Sequence, residues 1–172
     1  MAKGLAKLLL GHGASGTAIS MKPWVDALKK HGVTAVALEL PRSNADKAVD
    51  VFRQAHAADA GAALGGHSYG GRMASLLAAD EPIPALVLLS YPLHRPGHPE
   101  DLRTEHWPRI ACPVLLLSGE RDPFAKIDLL RREVTKLQRA QLFTYPNIGH
   151  GLLPVVGDAT DKIVEFLRAR AA

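Results

Sequence analysis

Short apolar runs alternate with longer amphipathic stretches along the chain. Residues 7–10, 34–39, 60–65, 85–90, 114–118 and 140–144 form the short runs, bounded by Gly, Pro or polar residues. They lack the polar alternate positions of a strand with one wet face, so they are expected to be strands buried on both faces. Residues 18–31, 43–59, 70–79, 126–138 and 159–170 carry helical periodicity. Strand-helix alternation predicts a three-layer α/β/α domain around a mainly parallel sheet of about six strands. Asn44 or Ser43 is expected to cap the second helix, and Asp158 or Thr160 the last. Residues 91–109 hold four prolines and little periodicity. They are expected to form a long excursion after the fourth strand, a possible cap loop.

Composition narrows the class. At 172 residues the chain is expected to be one domain with a substantial core. It is 47% hydrophobic and 22% charged, which excludes a disordered or fibrous chain. Its single cysteine, Cys112, rules out an intramolecular disulfide framework and suits a reducing, cytoplasmic setting. Cys112 lies in an apolar run and is expected to be a small core residue. The net charge of +4 raises the question of nucleic acid. Yet Arg131, Arg132, Lys136 and Arg139 on one helix, and Arg168 and Arg170 on another, are dispersed without aromatic interleaving. Solvated helix faces are the expectation, and no nucleic-acid partner. The opening residues 1–10 have too short an apolar core for a signal peptide. No stretch approaches the roughly 20 apolar residues of a membrane span, so no membrane association is expected.

Chemistry concentrates at strand ends. Gly66-His67-Ser68-Tyr69-Gly70 sits where a strand gives way to a helix. A serine on such a turn stands clear of its neighbours, and small glycines let strand and helix approach. The helix start behind it offers N–H groups and a positive dipole end to an oxyanion. By itself this is also an ordinary turn motif. In open α/β sheets, however, binding groups gather beyond the carboxyl ends of the strands. Gly11-His12-Gly13-Ala14-Ser15-Gly16 follows the first strand, and Ser68 follows the third. Gly119-Glu120-Arg121-Asp122-Pro123 follows the fifth, and Pro146-Asn147-Ile148-Gly149-His150-Gly151 the sixth. All four are expected to converge on one rim.

This arrangement resembles the α/β-hydrolase family, in which nucleophile, acid and histidine follow the order Ser68…Asp122…His150. The most specific pieces are Gly-His-Ser-Tyr-Gly-Gly, Ser-Gly-Glu-Arg-Asp-Pro and Gly-His-Gly. Tyr91-Pro92-Leu93-His94-Arg95-Pro96-Gly97 and Leu102-Arg103-Thr104-Glu105-His106 are similar to a small bacterial branch described as dienelactone-hydrolase-like. That branch also has eukaryotic testis-expressed and chromatin-complex relatives. Because the first predicted strand leads straight into Gly11-His12-Gly13, the resemblance implies a minimal version of the fold, expected to lack the first two strands of the full family. The elbow residue is serine, where dienelactone hydrolases proper use cysteine.

The resemblance implies a carboxylesterase-like serine hydrolase acting on esters or related acyl bonds of a small substrate. Ser68 would be the nucleophile, His150 the general base and then acid, and Asp122 its orienting partner. The N–H groups of Ala14 and Tyr69 would form the oxyanion hole. His12 and Tyr91 are expected at the substrate pocket, His12 as a prop for the oxyanion loop. Glu100 and Asp101 are rival acids. No cofactor is implied, and no metal: Arg95-Pro96-Gly97 breaks any helix that would align His94 with His98, and His106 completes no recognised ligand set. A monomer or homodimer is expected. Two alternatives stay open: an interaction or scaffold module on the same fold, and a different reaction at the same site, such as perhydrolysis or carbon–carbon bond hydrolysis.

Overall fold

The structure, a computed structural model, describes residues 7–170. Residues 1–6, part of the segment weighed as a targeting signal, lie outside the described residues. Six strands form one sheet: β1 (Lys7–Gly11), β2 (Thr34–Leu38), β3 (Ala63–His67), β4 (Leu86–Leu89), β5 (Val114–Gly119) and β6 (Ala140–Tyr145). The order is β2-β1-β3-β4-β5-β6, and every neighbouring pair is parallel. The order reverses between β1 and β3, so the loops after these two strands diverge around a crevice at their carboxyl ends.

Side-chain alternation splits each central strand between two cores. Leu9, Leu64, Leu86, Leu88 and Leu116 face α2 (Ala45–Ala58), α3 (Tyr69–Asp80) and α4 (Ile127–Glu133). Leu8, Leu10, Val87, Leu89, Leu115 and Leu117 face α1 (Lys22–Lys30) and α5 (Val156–Arg168). The edge strands β2 and β6 are only partly covered, and their residues are in the main half-buried or exposed. No described helix is long and apolar enough to cross a membrane.

Several boundaries differ from expectation. β3 starts at Ala63 and runs through Gly65-Gly66 to His67. A Cβ on Gly65 would lie 2.2 Å from the Val87 carbonyl oxygen, so these glycines permit strand packing instead of ending the strand. Asn44 caps α2, its Oδ1 accepting from the Lys47 N–H at 3.0 Å. Neither Asp158 nor Thr160 caps α5, which begins at Val156. Asp158 instead accepts from the Tyr145 hydroxyl, and Thr160 is buried within the helix. Cys112 is buried just ahead of β5, and burial pushes its thiol up to about 11.

Residues 91–109 are pinned to the body. The Tyr91 ring meets Trp107 edge-on, with centroids 4.9 Å apart. The Thr104 hydroxyl donates to buried Glu133 at 2.5 Å. His94 bridges two loops: its Nδ1–H donates to the Arg95 carbonyl and its Nε2 accepts from the Lys126 N–H. His106 Nε2 lies 2.7 Å from the Ser75 hydroxyl on α3. Burial, reinforced by the charges of Arg72 and Arg109, pushes the His106 imidazole down to about 4. An unfolded imidazole titrates near 6.5, so below that pH the unfolded chain takes the proton first. The stability tied to neutral His106 is therefore present above pH 6.5 and lost as pH falls toward 4. It amounts to on the order of 3 kcal/mol. Urea titrations at pH 7 and pH 4 should show a smaller difference for His106→Asn than for the native chain. Equal differences would exclude this role.

Candidate active site

Ser68 follows β3 immediately, with φ 50° and ψ −117°. Positive φ at a non-glycine residue costs roughly 1–3 kcal/mol and persists only where the surroundings hold it. What holds it is close backbone contact. A Cβ on Gly66 would lie 2.5 Å from the Gly11 carbonyl oxygen, and one on Gly70 would lie 2.3 Å from the Gly11 carbonyl carbon. α3 therefore presses on β1, and the chain has little choice but to turn sharply at residue 68. A serine ahead of a helix ordinarily caps it. Here the side chain makes no capping hydrogen bond. Its hydroxyl points elsewhere.

That direction is His150. Ser68 Oγ lies 2.8 Å from His150 Nε2. His150 Nδ1 lies 2.8 Å from Asp122 Oδ2. A carboxylate only accepts, so Nδ1 carries the proton and Nε2 offers its lone pair to the serine O–H. Asp122 is 4% exposed, and its second oxygen accepts from the Phe124 N–H at 2.8 Å. The loops bearing Asp122 and His150 are packed tightly together. A Cβ on Gly119 would lie 2.2 Å from the Ile148 carbonyl oxygen, and the Arg121 N–H donates to that carbonyl at 2.9 Å. The rival acids stand apart: exposed Glu100 meets His98, and exposed Asp101 meets Arg95.

A cavity of about 660 Å³ opens at Ser68 and His150, and Gly13 and Ala14 form part of its wall. That volume falls in the range of small-molecule sites. The Ala14 N–H donates to no acceptor among the described residues. Tyr69 opens α3, so its N–H has no carbonyl four residues back in the helix. Both donors are free beside the serine.

His12 and Tyr91 do not line the cavity. Their expected placement at the pocket is corrected, while the part of His12 as a prop for the loop after β1 agrees with its hydrogen bonds. His12 is fully buried: its Nδ1–H donates to the Gly13 carbonyl at 2.8 Å and its Nε2 accepts from the Leu40 N–H at 2.9 Å. It ties the loop after β1 to the chain after β2 from behind. Tyr91 is 2% exposed, and its hydroxyl donates to the Arg103 carbonyl at 2.6 Å.

Sequence reasoning passed over His67 and Phe124. His67 Nε2–H donates to the His150 carbonyl at 3.0 Å, and the two rings lie 5.1 Å apart. Burial lowers the His67 imidazole, with the neighbouring His150 contributing. The Phe124 ring covers His150 at 4.4 Å. His67 fills the variable position before the serine, and Phe124 follows Asp122-Pro123, so adjacency to those motifs was the available signal.

A family model described as an alpha/beta hydrolase domain matches residues 5–165. The chain belongs to the α/β-hydrolase family. Solved structures share its fold at low identity. A monoacylglycerol lipase from Paleococcus ferrophilus is similar with a TM-score of 0.81 and 17% identity, covering 95% of this chain and 94% of that one. Est1E from Butyrivibrio proteoclasticus is similar with a TM-score of 0.79 and 17% identity, covering 98% and 89%. An alpha-beta serine hydrolase homologue from Coxiella burnetii gives 0.72 and 14%, covering 97% and 87%.

Proposed function

We propose that this chain is a serine hydrolase that cleaves ester or related acyl bonds of a small substrate through an acyl-enzyme on Ser68. The observation that carries this reading is the continuous hydrogen-bonded chain Ser68–His150–Asp122, with 2.8 Å at each link. Ser68 Oγ attacks the acyl carbon while its proton passes to His150 Nε2. The carbonyl oxygen becomes an oxyanion held by the Ala14 and Tyr69 N–H groups. One such donor is worth on the order of 3 kcal/mol in the transition state. As the intermediate collapses, the bond to the leaving alcohol breaks and His150 gives it the proton. Water then attacks the acyl-enzyme, His150 takes its proton, and the free acid leaves with Ser68 restored. Asp122 steadies the imidazolium and fixes its tautomer. A monoacylglycerol lipase among the similar folds supports an acyl substrate.

Rapid mixing with p-nitrophenyl acetate tests the two-step route. A burst of nitrophenol equal to the enzyme concentration is expected before slower turnover, if deacylation limits. Asp122→Asn should lower kcat by about 10³ to 10⁴-fold, because the amide can favour the wrong imidazole tautomer. A fully active variant would move the acid to Glu100 or Asp101.

A further inference from the structure

We propose that Arg72 and Arg103 form an anion-binding subsite in the cavity, selecting substrates that carry a carboxylate or phosphate away from the scissile acyl bond. The proposal rests on the serine hydrolase reading above and specifies its substrate class.

Both arginines line the cavity that opens at Ser68, and no Asp or Glu does. Among the described residues neither forms an ion pair. Five arginines, Arg53, Arg95, Arg109, Arg131 and Arg132, each meet a carboxylate, and among the described arginines that do not, Arg72 and Arg103 are the two that line this cavity. Arg72 goes further, because its Nε–H is buried without any acceptor. A buried donor on a cation that lacks a partner is costly, and folding gives no reason to keep it. A bound oxyanion supplies the missing acceptor.

Placement favours one shared ligand. Arg72 lies one helical turn beyond Ser68, and its N–H donates to the Ser68 carbonyl at 3.0 Å. Residues four apart share a helix face, so Arg72 rises beside the serine. Arg103 comes from the other side, on the excursion after β4. Its N–H donates to the Leu93 carbonyl at 2.9 Å and its carbonyl accepts from the Tyr91 hydroxyl at 2.6 Å. Burial, with the charge of Arg72 adding to it, lowers the Arg103 guanidinium from its ordinary value. Two guanidiniums that repel each other are reconciled by an anion between them, and their planar forks suit carboxylate or phosphate oxygens.

The test pairs p-nitrophenyl butyrate with the p-nitrophenyl hemiester of succinic acid, which adds a carboxylate to an acyl chain of the same carbon number. The readout is the ratio of kcat/KM for the anionic over the neutral ester. The native chain should favour the anionic ester by about tenfold or more. Arg72→Gln and Arg103→Gln should each cut the ratio by about tenfold to a hundredfold, as expected for a lost charge-assisted hydrogen bond. Arg103→Lys should recover part of it. A purely structural role would lower both rates together and leave the ratio unchanged, which would overturn the proposal. A second arm is independent of turnover. Titration calorimetry of Ser68→Ala with succinate and with inorganic phosphate should show binding that Arg72→Gln, added to Ser68→Ala, abolishes. The tighter of the two anions identifies the source. Binding without any ester hydrolysis by the native chain would keep the subsite and sink the hydrolase reading. Hydrolysis with no anion preference and no binding would do the reverse.

Discussion

Ser68→Ala is expected to lower kcat/KM on an acyl ester by about 10⁵ to 10⁶-fold while leaving the fold intact. Members of a triad act as a unit, so removing the nucleophile leaves only the contribution of binding and oxyanion donors. The stability cost is small for a stated reason. The Ser68 hydroxyl caps nothing on α3, and its partner is His150 at 2.8 Å. Losing that part-buried bond costs about 1 kcal/mol, against typical stabilities of about 5–15 kcal/mol. The strained φ of 50° does not improve, because alanine carries a Cβ as serine does. Ester turnover and thermal unfolding of the same preparation separate the two effects. Substantial activity in a folded Ser68→Ala variant would remove Ser68 from the mechanism.

Gly70→Ala should do the opposite, destroying activity by damaging the fold. Propensity alone predicts a gain, since alanine in a helix is better than glycine by about 1 kcal/mol. Packing reverses the sign. The new methyl would lie 2.3 Å from the Gly11 carbonyl carbon and 2.4 Å from its oxygen. Both are backbone atoms of β1, paired on each side by β2 and β3, so they cannot step aside. α3 must lift from the sheet, carrying Ser68 with it. A net loss of about 3 kcal/mol or more is expected, read by urea denaturation. Gly157→Ala on α5 is the control, because a Cβ there meets nothing within 4 Å. Its stability should hold or rise slightly. Similar behaviour of the two variants would show that close approach of α3 to β1 is not what Gly70 provides.

Much of this architecture was legible because its signals are local. Leu8-Leu9-Leu10 and Val114-Leu115-Leu116-Leu117 have no polar alternate positions, which suits only strands covered on both faces. Order along the chain then brought the loops with Ser68, Asp122 and His150 to one rim. What sequence did not convey depends on contacts between distant segments. Gly65 and Gly66 look like turn residues, yet they let β3 continue against β1 and β4. Asp158 looks like a cap, yet Tyr145 on β6 takes it. His12 and Tyr91 adjoin strand ends, as pocket residues do, but their polar atoms are spent on Gly13, Leu40 and Arg103 inside the fold. Arg72 and Arg103 are 31 positions apart in sequence and meet only through the cavity they share. Nothing in either local motif announces that pairing.

The most direct measurement is covalent labelling of the native protein with a fluorophosphonate probe, followed by peptide mass spectrometry. One adduct, on the peptide carrying Ser68, is the predicted result, with labelling absent in Ser68→Ala and slow in Asp122→Asn. A folded native protein that stays unlabelled, or is labelled elsewhere, while a known serine hydrolase reacts under the same conditions would contradict the account.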